Sequence, residues 1–436
     1  MTSDFTGRYI DQARRAQATS GAPGFVASAR ALALQRFEAL GFPQRRKNEA
    51  WKYTNVLPLV KVDFDDDVAY PTSDPTALER HARGLLWAKA LVVTNGRVDR
   101  ERVDSLKLPA GVRLERLRDA ADAHADVLEA ALSRFADQET NPFALLNTAA
   151  FHDALILRVA KGVALDEPLC VVHFSGSQRD PSIAHPRLLV VCDESSEATV
   201  IEAFVGHSEA PCLTNAVSEV FVGANATINH LHVQWEAPQT AHVSTTNAYV
   251  RRDGRYRQQL INLGGSLVRN NVRTLLQGEN AECTLNGLSM VRGTQHVDNQ
   301  TSIEHLVPNG NSWQLYKGVV SDQGTLVFNG RIFVEKDAQK TDAKQQNNNL
   351  LLNEGTTINS KPQLEIFADD VKCTHGATVG RLDAEGLFYL RARGIGEAEA
   401  RNMLTHAFAS EVIDACGVDD LAELLSETLR GWLNEG

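Results

Sequence analysis

Two side chains separated by one residue carry the sharpest chemical signal in this chain. They are a thiol at Cys373 and an imidazole at His375, within Ala368-Asp369-Asp370-Val371-Lys372-Cys373-Thr374-His375-Gly376. Alternate residues of an extended strand share a face, so the two would stand about 6.5–7 Å apart along the backbone and could converge on one point. Thiolate and imidazole both suit iron. Lys372 would face the other way. Two donors do not complete a coordination sphere, so a metal held here must borrow ligands from a partner or stay only transiently. The competing reading is an inert buried thiol beside a strand histidine that is hydrogen-bonded in place. A second alternating pair, His230 and His232 in Asn229-His230-Leu231-His232-Val233, also shares a face. It lacks a third ligand at any readable spacing. These two, with His296 and His305, read as exposed or core-satisfied histidines.

Other chemistries are excluded or weakened. There is no GxxxxGK[ST] loop and no strand–GxGxxG–helix unit, so this chain binds no nucleotide by a known phosphate cradle. Any ATP that drives the system belongs to another chain. Cys170, Cys192, Cys212, Cys283, Cys373 and Cys416 are dispersed, with no CxxC pair. That pattern favours reduced thiols over a disulfide framework, a zinc site or a four-cysteine cluster. Asp322, Asp342 and Asp369-Asp370 are candidate acids for a carbohydrate-cleaving β-helix. Yet Gln345-Gln346-Asn347-Asn348-Asn349 suits stacked polar ladders, which is a structural role. A net charge of −11 disfavours nucleic acid or an anionic membrane as partner. Met1–Arg8 carries no basic-then-apolar leader, and no apolar run reaches the ~18–20 residues of a membrane helix. A cytoplasmic location is expected.

Three textures along the 436 residues must position these groups. Residues 1–150 read as mainly helical, with a helix over Gly24–Leu40 closed by Gly41-Phe42-Pro43 and another over Asp119–Phe135. Between them, Leu91-Val92-Val93-Thr94 and Arg97-Val98 flank Asn95-Gly96, a hairpin signal within Trp87–Val98. Residues 151–385 are short β-branched runs split by Gly, Asn and Asp turns. A polar turn followed by a strand recurs at Glu197, Asn225, Asp253, Asn280, Gln323 and Glu354, about 26–31 residues apart except for one gap of about 44. Coils of that length predict a β-solenoid in preference to a sandwich, since roughly 230 residues of strand exceed one sandwich. Residues 386–436 return to helix. Leu387–Leu390 begins one that Arg393-Gly394-Ile395-Gly396 breaks, Glu397 starts a second, and Asp419–Leu433 forms the last. The stripe Ala400, Met403, Leu404, Ala407 and Phe408 cannot bury itself, so it must meet the solenoid or another protein.

Three long motifs then carry a resemblance to a known family. Lys340-Thr341-Asp342-Ala343-Lys344-Gln345-Gln346-Asn347-Asn348-Asn349-Leu350-Leu351-Leu352, the stretch Lys361–Gly380, and Leu387-Phe388-Tyr389-Leu390-Arg391-Ala392-Arg393-Gly394-Ile395 resemble signatures of the SufB/SufD iron–sulfur cluster assembly scaffolds. Arg46-Lys47-Asn48-Glu49-Ala50-Trp51-Lys52-Tyr53-Thr54 resembles the SufD branch. The resemblance implies a mainly β fold, a right-handed parallel β-helix core between N- and C-terminal helical domains. It implies a non-catalytic subunit that pairs with a SufB-like subunit through the β-helices; a homodimer in that partner's absence stays open. It further implies a SufC-like ATPase on the C-terminal helices, with Leu387, Tyr389, Arg393, Gly394, Met403, Leu404 and Phe408 as the docking residues. His375, and with it Cys373, would hold a transient Fe–S cluster together with ligands of the SufB-like partner, a cysteine among them. Gly396 departs from the Ser or Thr cap usual in the family, at a cost of a few tenths of a kcal/mol.

Overall fold

Strands of about ten residues, broken by Asn, Asp and Gly corners, wind into a parallel solenoid of about eight turns. The computed structural model describes residues 4–19, 24–68, 90–120, 122–125, 127–129, 132, 139–177 and 179–434. Each coil sends one strand to each of two sheets. The first sheet runs Ala90–Thr94, Leu169–Ser175, Glu197–Gly206, Thr227–Trp235, Arg255–Asn262, Glu282–Val291, Asn311–Val320, Asp342–Leu351 and Lys372–Gly380. The second runs from Val112–Arg116 through Leu155–Val159, Arg187–Cys192, Cys212–Val222, Thr240–Val250, Leu267–Leu276, His296–His305 and Thr325–Val334 to Thr357–Ile366. Crossovers between parallel strands of one sheet are right-handed in nearly all proteins.

Register makes the coils cohere. Val190, Val220, Ala248, Thr274, Ile303, Ile332 and Leu364 fall directly above one another across the second sheet. Each inward side chain thus packs on its counterpart one coil away, worth about 1.5–3 kcal/mol for a fully buried Val, Leu or Ile.

The corners explain the turn residues. Ser195, Asn225, Asp253, Asn280, Asn309 and Lys340 all hold positive φ, between 56° and 63°, at successive passages from the second sheet to the first. Asp322 and Gly355 hold positive φ at the opposite corner. The uneven recurrence in the sequence therefore mixes two corners: Gln323 and Glu354 belong to the second, and the first corner continues at Asn309 and Lys340. Both corners use the same short polar residues, so composition alone does not separate them. Asn tolerates the left-handed region and β-branched residues do not. Replacing Asn280 by Val should cost about 1–2 kcal/mol, while Asn280→Gly should be close to neutral; urea denaturation of the pair measures the difference.

Helices cover the outer faces of both sheets. α1 (Asp4–Thr19), α2 (Gly24–Leu40) and α3 (Pro142–Ala150) lie over the early strands of the second sheet, where Val26, Phe37, Phe143 and Leu145 share a core with Leu189, Leu213 and Val243. α4 (Ala384–Ala392), α5 (Glu397–Asp414) and α6 (Asp419–Asn434) follow the last coil. α6 buries Leu421, Leu425, Leu429 and Leu433, one residue per turn, and the second half of α5 adds Ala409, Val412 and Ile413. All pack on Val172, Ile201, Ala203, Leu231 and Val233 of the first sheet's outer face. Among the described residues no helix is long and apolar enough to cross a membrane.

Some local readings change. Asn95 and Gly96 do form a turn with positive φ at both, closed by a Thr94–Arg97 bridge. The strand they end does not fold back on itself; it pairs in parallel with Leu169–Ser175, because the sheet offers a longer ladder than two residues beyond a turn. Residues 87–89 of the expected hairpin lie outside the described residues. Of the expected Asp119–Phe135 helix, residues 121, 126, 130–131 and 133–135 also lie outside them. Leu117–Ala120 and Asp122–His124 are short helical turns, and Leu128 and Leu132 are buried in the core beneath α1–α3. Ala90–Thr94 and Val112–Arg116, both before residue 150, continue the two sheets beyond the first coil.

Candidate functional site at the open end of the solenoid

The last coil has no successor. Lys372–Gly380 and Thr357–Ile366 end the two sheets, and apart from half-buried Cys373 the residues of Lys372–Gly380 are exposed. Ala343 pairs with Cys373 and Gln345 with His375, so both donors stand on the inward-facing side of the final strand, as the alternation requires. Their surroundings differ. Cys373 packs on the apolar cluster of Ile332, Val334, Ala338, Ala343 and Ala368, and burial pushes its thiol above the usual value. His375 is exposed, with no side-chain hydrogen bond to any described residue. It borders a groove of about 450 Å³ with Trp313, Lys344 and Gln346. Lys372 lies on the outward side, and Asp370 pairs with Lys340. Among the described residues no group of three or more His, Cys, Asp and Glu could hold a metal ion.

The amide run is a ladder. Gln345, Asn347 and Asn349 point inward and are buried. Gln345 Nε2 donates to Gln314 Oε1 at 2.6 Å, Asn349 Nδ2 to Asn347 Oδ1 at 2.7 Å, and the Ser360 hydroxyl to Asn347 Oδ1 at 2.6 Å. Thr378 closes the outward side through Asn348 Oδ1 at 3.0 Å.

Beyond the strands, α4 buries no residue at all. Phe388 is 73% exposed and Tyr389 56%, with the Arg393 guanidinium 4.4 Å from the Tyr389 ring centre. Leu387 and Leu404 are half-buried, and Gly394 turns the chain at φ 88°. Met403 is exposed. Phe408 instead sits at the junction with the solenoid, its carbonyl accepting from Lys317 Nζ at 2.8 Å beneath its ring. The α5 stripe therefore divides: Ala400 is fully buried, Leu404 and Phe408 are half-buried, and Met403 and Ala407 are exposed. Gly396 caps α5 with no side-chain hydrogen bond.

At the other side of the molecule, the segment 46–54 is clamped to the second sheet. Arg269 lies 3.6 Å over the Trp51 ring centre, donates to the Ala50 carbonyl at 2.9 Å, and pairs with buried Asp298, which Thr54 also reaches. Lys361 of the last coil bonds Glu49 at 3.1 Å.

Two family models match nearly the whole described chain: the SufBD protein N-terminal region over residues 4–171, and the SufBD core domain of SUF-system FeS cluster assembly over residues 173–408. The chain belongs to the SufBD family. The iron–sulfur cluster assembly protein SufD of Escherichia coli is 34% identical over 385 residues, covering 88% of this chain and 87% of the relative. A SufBD family protein of Synechocystis is 31% identical over 384 residues (86% and 84%), and SufD of Bacillus subtilis 26% over 420 residues (94% of each). This SufBD chain is thus an iron–sulfur cluster assembly protein with SufD homologues.

One polar centre of the SufBD chain was not anticipated. Inside the lumen, Glu202 accepts from His230 Nε2 at 2.7 Å, His173 Nε2 at 3.2 Å and the Ser218 hydroxyl at 2.7 Å. Burial alone would raise the Glu202 carboxyl; the hydrogen bonds and charge of His173 and His230 together hold it well below the carboxylate range. His173, Glu202 and His230 come from three successive coils, so only the coil period could have aligned them. His230 is core-satisfied, with Tyr256 Oη 3.0 Å from its other nitrogen. His296 bonds Thr54 and His305 bonds Ser312, each at 2.9 Å. His232 departs from that reading: it is buried against Phe204, neither ring nitrogen has a hydrogen-bond partner among the described residues, and burial pushes it far below the usual imidazole value.

Proposed function

We propose that this SufBD chain is a non-catalytic scaffold subunit. It pairs with a SufB-like subunit through the open end of its β-helix and docks a SufC-like ATPase on α4 and the start of α5. Together the three build an Fe–S cluster and pass it on, and the cytoplasm is where the reading puts them. The observation that carries it is an incomplete donor pair standing on an unpaired sheet end. A strand edge presents a row of free N–H and C=O groups and is a template for another chain; the same edge can join a second copy when the partner is absent. His375 offers an accessible imidazole there. Cys373 would join only as thiolate, which its apolar surroundings oppose until a metal or a partner cation displaces the proton. The cluster is cargo, and the remaining ligands come from the partner. With no phosphate loop in this chain, ATP is the other subunit's.

An adaptor that positions the ATPase without touching iron is a second reading, favoured by the raised thiol of Cys373. Iron content after substituting both Cys373 and His375 separates the two, since an adaptor would not respond.

The exposed helix supplies the test of docking. Phe388 touches little within the chain, so Phe388→Ser should alter its stability by no more than about 0.5 kcal/mol. An aromatic anchor at a protein interface is commonly worth about 2 kcal/mol or more, so affinity for the SufC-like ATPase should fall at least about 30-fold. Titration calorimetry of the two subunits reads the affinity and urea denaturation the stability; wild-type affinity in the variant would remove α4 from the docking surface.

A further inference from the structure

The lumen amides have a direction. Gln314 Nε2 donates to Thr301 Oγ1 at 2.6 Å, and Gln345 Nε2 donates to Gln314 Oε1 at 2.6 Å. Gln314 spends its nitrogen on Thr301 of the opposite sheet and Gln345 spends its own on Gln314 one coil back, so the Gln345 oxygen is the group left over for the coil that follows. That oxygen is buried and accepts no hydrogen bond from any described residue. The next coil places His375 directly opposite Gln345, with the two strands about 4.8 Å apart, and both residues border the same groove. The amide cannot easily turn aside. Across the lumen, a Cβ at Gly330 would lie 2.4 Å from Gln345 Nε2, so the absent side chain there makes the room the amide fills.

A neutral imidazole has one N–H and one lone pair. Histidines that bind metal commonly donate the other ring N–H to a carbonyl or carboxylate, which fixes tautomer and orientation. We propose that Gln345 is a positioning residue for His375: its Oε1 accepts the ring N–H and leaves the second ring nitrogen unprotonated for the cluster. This rests on the reading of His375 as a cluster ligand.

Full-length chain labelled with 15N-histidine tests it, with His375→Ala assigning the resonance and long-range 15N–1H correlation reporting the tautomer of the neutral ring. Wild-type chain should hold one dominant tautomer. Gln345→Met keeps the volume but removes the carbonyl and should shift the ratio about fivefold, the worth of one net hydrogen bond. Gln345→Glu retains an oxygen toward His375 and should restore it. In the reconstituted complex, Gln345→Met should assemble normally and bind iron about 10–100-fold more weakly, with Gln345→Glu again closer to wild type. Should Gln345→Met not fold, Gly330→Ala displaces the amide without altering either partner and should loosen the tautomer in the same sense. An unchanged ratio in a folded variant overturns the positioning, even if iron binding drops. Lost cluster in His375→Ala with a tautomer indifferent to Gln345 removes the positioning alone. Normal cluster yield in His375→Ala removes the ligand reading and the positioning of a ligand with it.

Discussion

Exchanging His375 for Ala abolishes cluster build-up in the complex reconstituted with SufB-like and SufC-like subunits, and leaves assembly of the subunits intact. That is the expected result, and its size follows from the incompleteness of the site. On the proposed reading the chain offers two donors at its open end, and burial against the apolar cluster pushes the thiol of one of them, Cys373, above its usual value. Removing the accessible imidazole therefore takes away the only ready donor of the pair. The fold should barely notice, because an exposed side chain with no hydrogen bond to a described residue contributes within about 0.5 kcal/mol. Iron and sulfide per complex, together with size-exclusion profiles, measure the two halves of the claim. Wild-type cluster content in an intact variant complex would sink it.

The second large effect is on stability. Arg187 and Glu219 form an ion pair whose side chains are both 0% exposed. Arg187 also donates to Asn147 Oδ1 at 3.1 Å and Thr148 Oγ1 at 3.0 Å, pinning α3 to the second sheet. Taking away one partner leaves the other charge buried and unpaired, which costs about 3–5 kcal/mol. Arg187→Met should lose that much in urea denaturation, since Glu219 already has one oxygen without a partner among the described residues. Adding Glu219→Leu should recover most of the loss, because an apolar pair of similar volume avoids the desolvation altogether. A loss below about 1 kcal/mol for the single variant would mean that Glu219 finds a partner or a proton cheaply.

Local signals were reliable where a residue's own chemistry decides its conformation. Gly24–Leu40 is helical over the expected span, Glu397 opens a helix after Gly396, and Asn95-Gly96 turns with positive φ. The alternation that put Cys373 and His375 on one side of a strand holds because side-chain direction in a strand is a two-residue property. Whether that side would be wet was not readable: Cys373 lands against Ile332 and Val334, from the coil before and the opposite sheet, whereas His375 does not.

By itself, then, the order of residues determined the repeating coil, the helical ends, the family signature and the alternating donor pair, since each depends on propensity, turn chemistry or neighbours within a few positions. Only the folded chain decided which of the polar groups meet. Glu202 joins His173 and His230 across gaps of 29 and 28 residues, Arg187 reaches Glu219 across 32, and Trp51 stacks on Arg269 from the far end of the chain. The physical reason is the stacking itself: one coil brings residues some thirty positions apart to within a strand spacing of each other. A slip of one residue in a coil would turn the side chains of that coil's strand to the opposite face and break the pairs it makes.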